Sequence, residues 1–274
     1  MTLDTDAATA AEPSPEPEAT AVRPRSRLDR ALTITGEILI TAGVLLGLYV
    51  VWQLFYTDVQ SERIQEQAVE ELDWVEPVTA TGNDSTDGTE ISVVPVIPDE
   101  LKHTSPDGAP VISGADKAEI FATLYVPRWG TDYIKPIAEG VTRRDVLDKI
   151  GIGHYPNTVF PGAVGNFAVA GHRTTYGKPF ADADKLQVDD YLVVQTEDAW
   201  FVYSVVETKI VTPSTVSVIA PNPLSPGSSA TQAMITLTTC HPKFSAAQRM
   251  VVHGTLVYWA PTGHGYPPEI LEEP

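Results

Sequence analysis

A mainly β body of mostly antiparallel strands, closed as a barrel or packed as a sandwich, is what this 274-residue sequence predicts. One or two short helices belong to it, and a single transmembrane helix precedes it. Three observations carry the expectation. From about residue 116 the chain is a series of β-rich, often alternating runs broken by turn signals. Near the N-terminus lies one uncharged apolar run of helical length. Between the two the composition is polar and turn-rich.

Residues 1–22, rich in Ala, Pro, Glu and Thr, read as a disordered tail that ends near residue 30. Arg23, Arg25, Arg27 and Arg30 then precede the uncharged run 38–56, "ILITAGVLLGLYVVWQLFY". Those 19 residues span about 28 Å as a helix, close to the hydrocarbon thickness of a bilayer. Tyr49, Trp52, Phe55 and Tyr56 gather at its far end, where an interfacial aromatic belt would sit. A cleaved signal peptide would have a shorter apolar region followed by small residues, whereas "TDVQSER" follows here. A transmembrane helix over 31–57 is therefore expected. The arginines before it put the N-terminus in the cytoplasm and the remainder outside the cell membrane.

Residues 58–75 have helical composition, and "TATGNDSTDGTE" and "TSPDGAP" read as linker. The segment 58–115 is thus expected to be an extracellular stalk, a random coil averaging about 40–45 Å end to end. The body, 116–262, starts with "AEIFATLYVPRWG" and "DYIKPIAEG" as strands and "TRRDVLDKIGIG" as a short helix. The runs "NFAVAGHR", "DYLVVQTEDAWFVYSVVETKIVT", "ATQAMITLTTC" and "MVVHGTLVYWAP" supply further strands, and 263–274 forms a C-terminal tail.

The formal charge of -18 is not spread evenly. Residues 1–115 hold 6 Lys/Arg against 20 Asp/Glu, whereas 116–262 hold 12 against 13. The body is nearly neutral and has no basic patch interleaved with aromatics, which argues against nucleic acid as a partner. The single cysteine, Cys240, excludes an internal disulfide, and no Cys/His cluster has zinc-ligand spacing. No cofactor is expected. Asp182, Asp184, Asp189 and Asp190 imitate a calcium cluster, but their spacing and the intervening lysine read as a solvated turn.

In "AMITLTTC", Ile235 and Leu237 share one face of a strand, and Thr236, Thr238 and Cys240 share the other. A buried structural cysteine would more naturally lie with Ile235 and Leu237. A nucleophilic thiol needs a proton donor for the leaving group and donors for the oxyanion. His172 leaves an apolar strand for a Gly-flanked polar loop, where a barrel rim would hold an imidazole. His103 and His264 lie in stalk and tail, His253 lies inside the last strand, and His241 points away from its neighbour Cys240. Arg249 opens the last strand, and its fork of donors suits a carbonyl or an oxyanion.

These residues resemble a known signature. "TLTTC", Thr236 to Cys240, is similar to the TLxTC motif of the sortases, membrane-bound cysteine transpeptidases of Gram-positive bacteria. "AVAGHR" corresponds to the family's histidine and Arg249 to its arginine, and the likeness covers about 116–260. It implies an eight-stranded sortase β-barrel. It also implies that Cys240 attacks the threonine carbonyl of a C-terminal sorting motif, breaking a Thr–Gly bond and leaving a thioester. His172 would protonate the departing amine, Arg249 would bind the carbonyl or oxyanion, and Thr239, with Thr238, would assist. The partners implied are surface proteins bearing LAxTG- or LPxTG-type signals, the amine of a cell-wall precursor (lipid II) and the membrane. "GIGHYPNTVFPGAVGNFAVAGHR" is similar to class E sortases of actinobacteria, which favour LAxTG, and Tyr155 is the candidate reader of the second motif residue. No Asp-Pro-aromatic lid motif is present, which favours an anchoring role. Two alternatives stay open: a non-catalytic module that binds wall peptides, and a cysteine endopeptidase that passes the acyl group to water.

Overall fold

The computed structural model describes residues 27–75 and 94–271. Residues 1–26 of the expected N-terminal tail, the "TATGNDSTDGTE" linker and the last three residues of the C-terminal tail fall outside them, whereas residues 27–30, assigned to that tail, are helical. The chain divides into two units, Met1–Val50 and Val51–Pro274.

In the first unit the described residues belong to helix α1 (Arg27–Glu70). Its stretch Arg27–Trp52 contains an apolar window with none of it buried, and is long and apolar enough to cross a membrane. The helix continues through the acidic residues beyond it, as their composition predicts.

The second unit is a closed barrel of eight strands: β1 (Ile120–Tyr125), β2 (Ile134–Glu139), β3 (Ile152–His154), β4 (Gly165–Gly171), β5 (Tyr191–Gln195), β6 (Ala199–Val211), β7 (Ala233–His241) and β8 (Gln248–Pro261). Their order around the barrel is β1-β2-β3-β4-β7-β8-β6-β5. The eight-stranded barrel is as expected, with two details the sequence concealed. β3, only three residues long, sits in the stretch read as the end of a helix, of which only the turn Arg143–Leu147 forms. Two pairings, β2 with β3 and β4 with β7, are parallel.

Alternation along the strands sorts the apolar residues into two clusters. Leu124, Phe167, Val194, Phe201, Tyr203, Ile235 and Leu237 fill the interior. Tyr125, Val193, Trp200, Val202, Tyr258 and Ala260 point outward, yet they too are buried, under Ile97, Tyr266 and Ile270. That double burial explains why "YLVV" and "AWFVY" read as nearly continuous apolar runs rather than strict alternation. It also corrects the expected stalk: residues 94–103 are no free tether. Val96 bridges to Tyr266 and His103 to Trp259, whose ring lies 4.3 Å from the imidazole, and Ile97 is 2% exposed. An outer sheet face this apolar is unstable in water, since each side chain of this size left exposed forgoes about 1.5–3 kcal/mol. Residues 58–70 likewise lie in α1, with Ser61 and Gln65 buried against the second unit's other residues.

Three buried polar side chains fasten β4, β7 and β8 together. The Thr236 hydroxyl donates to Asn166 Oδ1 at 2.7 Å, so His253 Nδ1, 2.8 Å away, must donate to the Thr236 oxygen. His253 Nε2 is then a bare acceptor with no partner in a fully buried site. Burial, with Lys209 nearby, pushes the imidazole down to about 4. An unfolded histidine takes up its proton near 6.5, so below that pH the unfolded chain binds more protons and stability falls until about pH 4. The loss from this one group is about 3 kcal/mol across that window. The melting temperature should therefore drop between pH 7 and 4.5, and His253→Gln should show a clearly shallower drop in circular-dichroism melts. An identical slope in the variant would remove His253 as the cause.

Candidate active site

Because β4 and β7 run parallel in the register Ala168↔Thr236 and Ala170↔Thr238, they end at the same rim. One continues into His172, and the other carries Cys240 at its next-to-last position. On β7's other side, antiparallel β8 sets Arg249 directly opposite Cys240. Directly opposed residues of an antiparallel pair share a face, so thiol and guanidinium emerge on the same side of the sheet. Three residues separated by up to 77 positions thus meet at one rim through strand register alone.

Cys240 is half-buried and reduced. Arg249 Nη1 donates to the carbonyls of Ala246 and Gln248 at 3.0 and 2.9 Å, which holds the side chain back against the β7–β8 loop. His172 Nε2 donates to Asp148 Oδ1 at 2.7 Å, and its ring lies 5.1 Å from that of Tyr176. A carboxylate on one ring nitrogen fixes the orientation of the imidazole.

Thr238 and Tyr155 meet beside this rim. The Thr238 hydroxyl donates to the Val169 carbonyl at 3.2 Å, so the Tyr155 phenol, 2.9 Å away, donates to Thr238. Tyr155 and Thr238 both line a cavity of about 160 Å³, together with Val211, Pro213, Val218 and Arg249. Thr239 is placed differently. It shares the inner face with Leu237, is 4% exposed, and donates to the Gly171 carbonyl at 2.8 Å. Its hydroxyl therefore clamps the residue before His172 and does not share the Cys240 face.

Two residues of this rim were not singled out from the sequence. Asp148, 24 residues before His172, carries no local signal. Arg173, next to His172, is 4% exposed and ties the two strand ends together. Its Nη1 donates to the Cys240 carbonyl at 3.4 Å and to His241 Nδ1 at 2.9 Å, and its Nη2 meets Asp184 at 2.9 Å. Burial opposes ionisation of Asp184, but a backbone hydrogen bond and Arg173 together hold its carboxyl below the usual range. Two other acidic residues of the apparent cluster, Asp182 and Asp190, are also paired with cations. Asp182 faces Lys185 at 3.0 Å, and Asp190 takes a fork from Arg128. Among the described residues no group of three His, Cys, Asp or Glu could hold a metal ion.

Comparison with known proteins bears on this geometry. A family profile, the sortase domain, matches residues 124–257. Sortase SrtE1 of Streptomyces coelicolor is 36% identical over 244 residues, which is 86% of this chain and 60% of that protein. Sortase SrtE2 of the same organism is 31% identical over 246 residues, 86% of this chain and 85% of that protein. The chain therefore spans less than two thirds of the length of the first relative and most of the second. Among solved structures, the SrtA sortase from Actinomyces oris is 41% identical with a TM-score of 0.58, covering 62% of this chain and 97% of that one.

The half-buried thiol at a rim should accept a small alkylating reagent in the folded state. Intact mass after iodoacetamide treatment should show one adduct on Cys240, and no uptake without denaturant would mean the thiol is out of reach.

Proposed function

Because the chain belongs to the sortase family of cysteine transpeptidases, we propose that it is a membrane-anchored class E-type sortase. In this reading it joins surface proteins bearing an LAxTG-type signal to the amine of a cell-wall precursor. α1 anchors it with the N-terminus in the cytoplasm, and the barrel works outside the membrane on proteins emerging beside it. One observation carries the reading: the ends of β4 and β7 and the start of β8 put an imidazole, a thiol and a guanidinium at one rim.

The chemistry follows from those three groups. The Cys240 thiolate adds to the threonine carbonyl of the sorting signal, and the developing oxyanion is met by the Arg249 fork, released from its loop carbonyls as substrate enters. His172, protonated and oriented by Asp148, gives its proton to the departing glycine nitrogen as the Thr–Gly bond breaks. A thioester and a neutral imidazole remain. The incoming amine attacks the thioester, His172 takes the proton lost by that nitrogen, and the thiolate leaves. The cycle is balanced and needs no cofactor. Thr239 acts through Gly171, holding the end of β4 in place, and Thr238 orients Tyr155. The Tyr155 ring edges the cavity where the second residue of the signal would lie. A small alanine there leaves room for the phenol, whose lone pairs can accept a substrate N–H.

Incubating the chain with matched LAxTG and LPxTG peptides and a diaminopimelate-type or glycine amine, with mass spectrometry of products, tests this reading. A Thr–amine product is expected with wild type and none with Cys240→Ala. A Cys240→Ala chain that still transfers would remove the thiol from the mechanism, and an acid product alone would make the protein an endopeptidase. Arg249→Lys should lose roughly 10²-fold or more in kcat, as loss of an oxyanion donor typically does. Tyr155→Ala should change the LAxTG:LPxTG ratio of kcat/KM, and an unchanged ratio would put the selector elsewhere.

A further inference from the structure

The turns of α1 beyond the apolar stretch carry a stripe of three polar residues, Asp58, Ser61 and Gln65. Their spacing of three and four sets them on one face of the helix. Ser61 and Gln65 are 5% and 0% exposed. A helix that merely packs on a barrel would present apolar residues there. This one presents an amide and a carboxylate, and both bind backbone of the segment that follows His172. Gln65 Nε2 donates to the Tyr176 carbonyl at 3.0 Å. Asp58 accepts the Gly177 N–H at 3.0 Å and pairs with Lys178 Nζ at 2.6 Å.

The Gln65 amide fits between two glycines whose φ angles, +106° at Gly151 and +72° at Gly177, favour glycine. A Cβ at Gly151 would come within 2.8 Å of Gln65 Nε2, and one at Gly177 within 2.6 Å. Those glycines belong to the two segments that hold the His172 ring. Gly151 follows Asp148, the carboxylate bonded to His172 Nε2, and Gly177 follows Tyr176, whose ring lies against the imidazole. Gln65 Oε1 is buried without a partner among the described residues, a cost that an apolar side chain of the same shape would not carry. Stability alone therefore does not account for a glutamine here.

We propose that Asp58 and Gln65 are positioning residues for His172: the membrane-proximal turns of α1 brace the segments bearing Asp148 and Tyr176, and so fix where the imidazole stands. The inference rests on the reading of His172 as the proton-transfer group. Neither residue touches substrate. Their loss therefore affects turnover and its pH dependence more than substrate binding.

The test uses the full-length chain in detergent micelles, with an LAxTG peptide, an amine acceptor and pH–rate profiles. Gln65→Met keeps the volume and removes the amide. Its melting temperature should stay within a few degrees of wild type while kcat falls by roughly tenfold or more, as misplacement of a catalytic group does. KM should change little, and the limb of the kcat profile that depends on His172 should move. Asp58→Asn should behave alike, and Asp58→Glu should recover most of the rate. Folded Gln65→Met and Asp58→Asn variants with wild-type kcat and pH profile would overturn the inference. If Gln65→Met fails to fold, the Asp58 pair decides by the same criteria. Cys240→Ala and His172→Ala run alongside: residual transfer by either would sink the reading of the site itself, whereas two dead controls beside normal α1 variants would sink only the bracing.

Discussion

The register of β7 is the constraint on which the rest of this structure depends. Side chains alternate along a strand, so a slip of one residue would turn Cys240 to the inner face and bring Thr239 out in its place. The buried trio Asn166, Thr236 and His253 resists such a slip, because each hydrogen bond spans two strands and none survives displacement. Asn166 extends the lock, donating to the carbonyls of Val218 and Ala220. It thereby fixes the β6–β7 connection that walls the cavity beside Tyr155. One buried polar cluster on the outer face of the sheet thus sets both the position of the thiol and the shape of the space next to it.

Electrostatics then refine what register delivers. The rim carries charges of both signs, and nearly all are held in pairs. Arg173 lies buried across the ends of β4 and β7, with Asp184 compensating it, while Asp148 is bonded to the imidazole. A buried cation at a strand end is costly unless it is hydrogen-bonded, and Arg173 meets that condition with donors to Cys240, His241 and Asp184. Arg249 differs, for its Nη1 is held by carbonyls of its own exposed loop. Such bonds can be exchanged for a substrate oxygen at little cost, which is what the role proposed for Arg249 asks of it.

The barrel is also clothed. Segments on both sides of the strand-rich region, 94–103 and 266–270, cover the outward apolar face of β1, β5, β6 and β8. The part of α1 beyond residue 57 meets the loop after His172. Chain that composition marks as polar connector therefore takes part in the folded unit at each place where an apolar face or an open loop needs cover.

Much was legible in the sequence because it is written locally. The uncharged run 38–56, the strand runs from β4 to β8, the face alternation in "AMITLTTC" and the setting of His172 and Arg249 each depend on a few neighbouring residues obeying a period of two or a helical length. The sequence by itself thus determined a mainly β body behind an apolar helix, with one thiol on the polar face of its strand. Only the tertiary structure decided the parallel pairing of β4 with β7, the three-residue β3, and the arrival of Asp148, Arg173 and Gln65 around the imidazole. The physical reason is common to all of these. They follow from which strand lies beside which, and from contacts between residues up to 111 positions apart. Composition and spacing along the chain leave no local trace of such contacts, which barrel closure and burial fix instead.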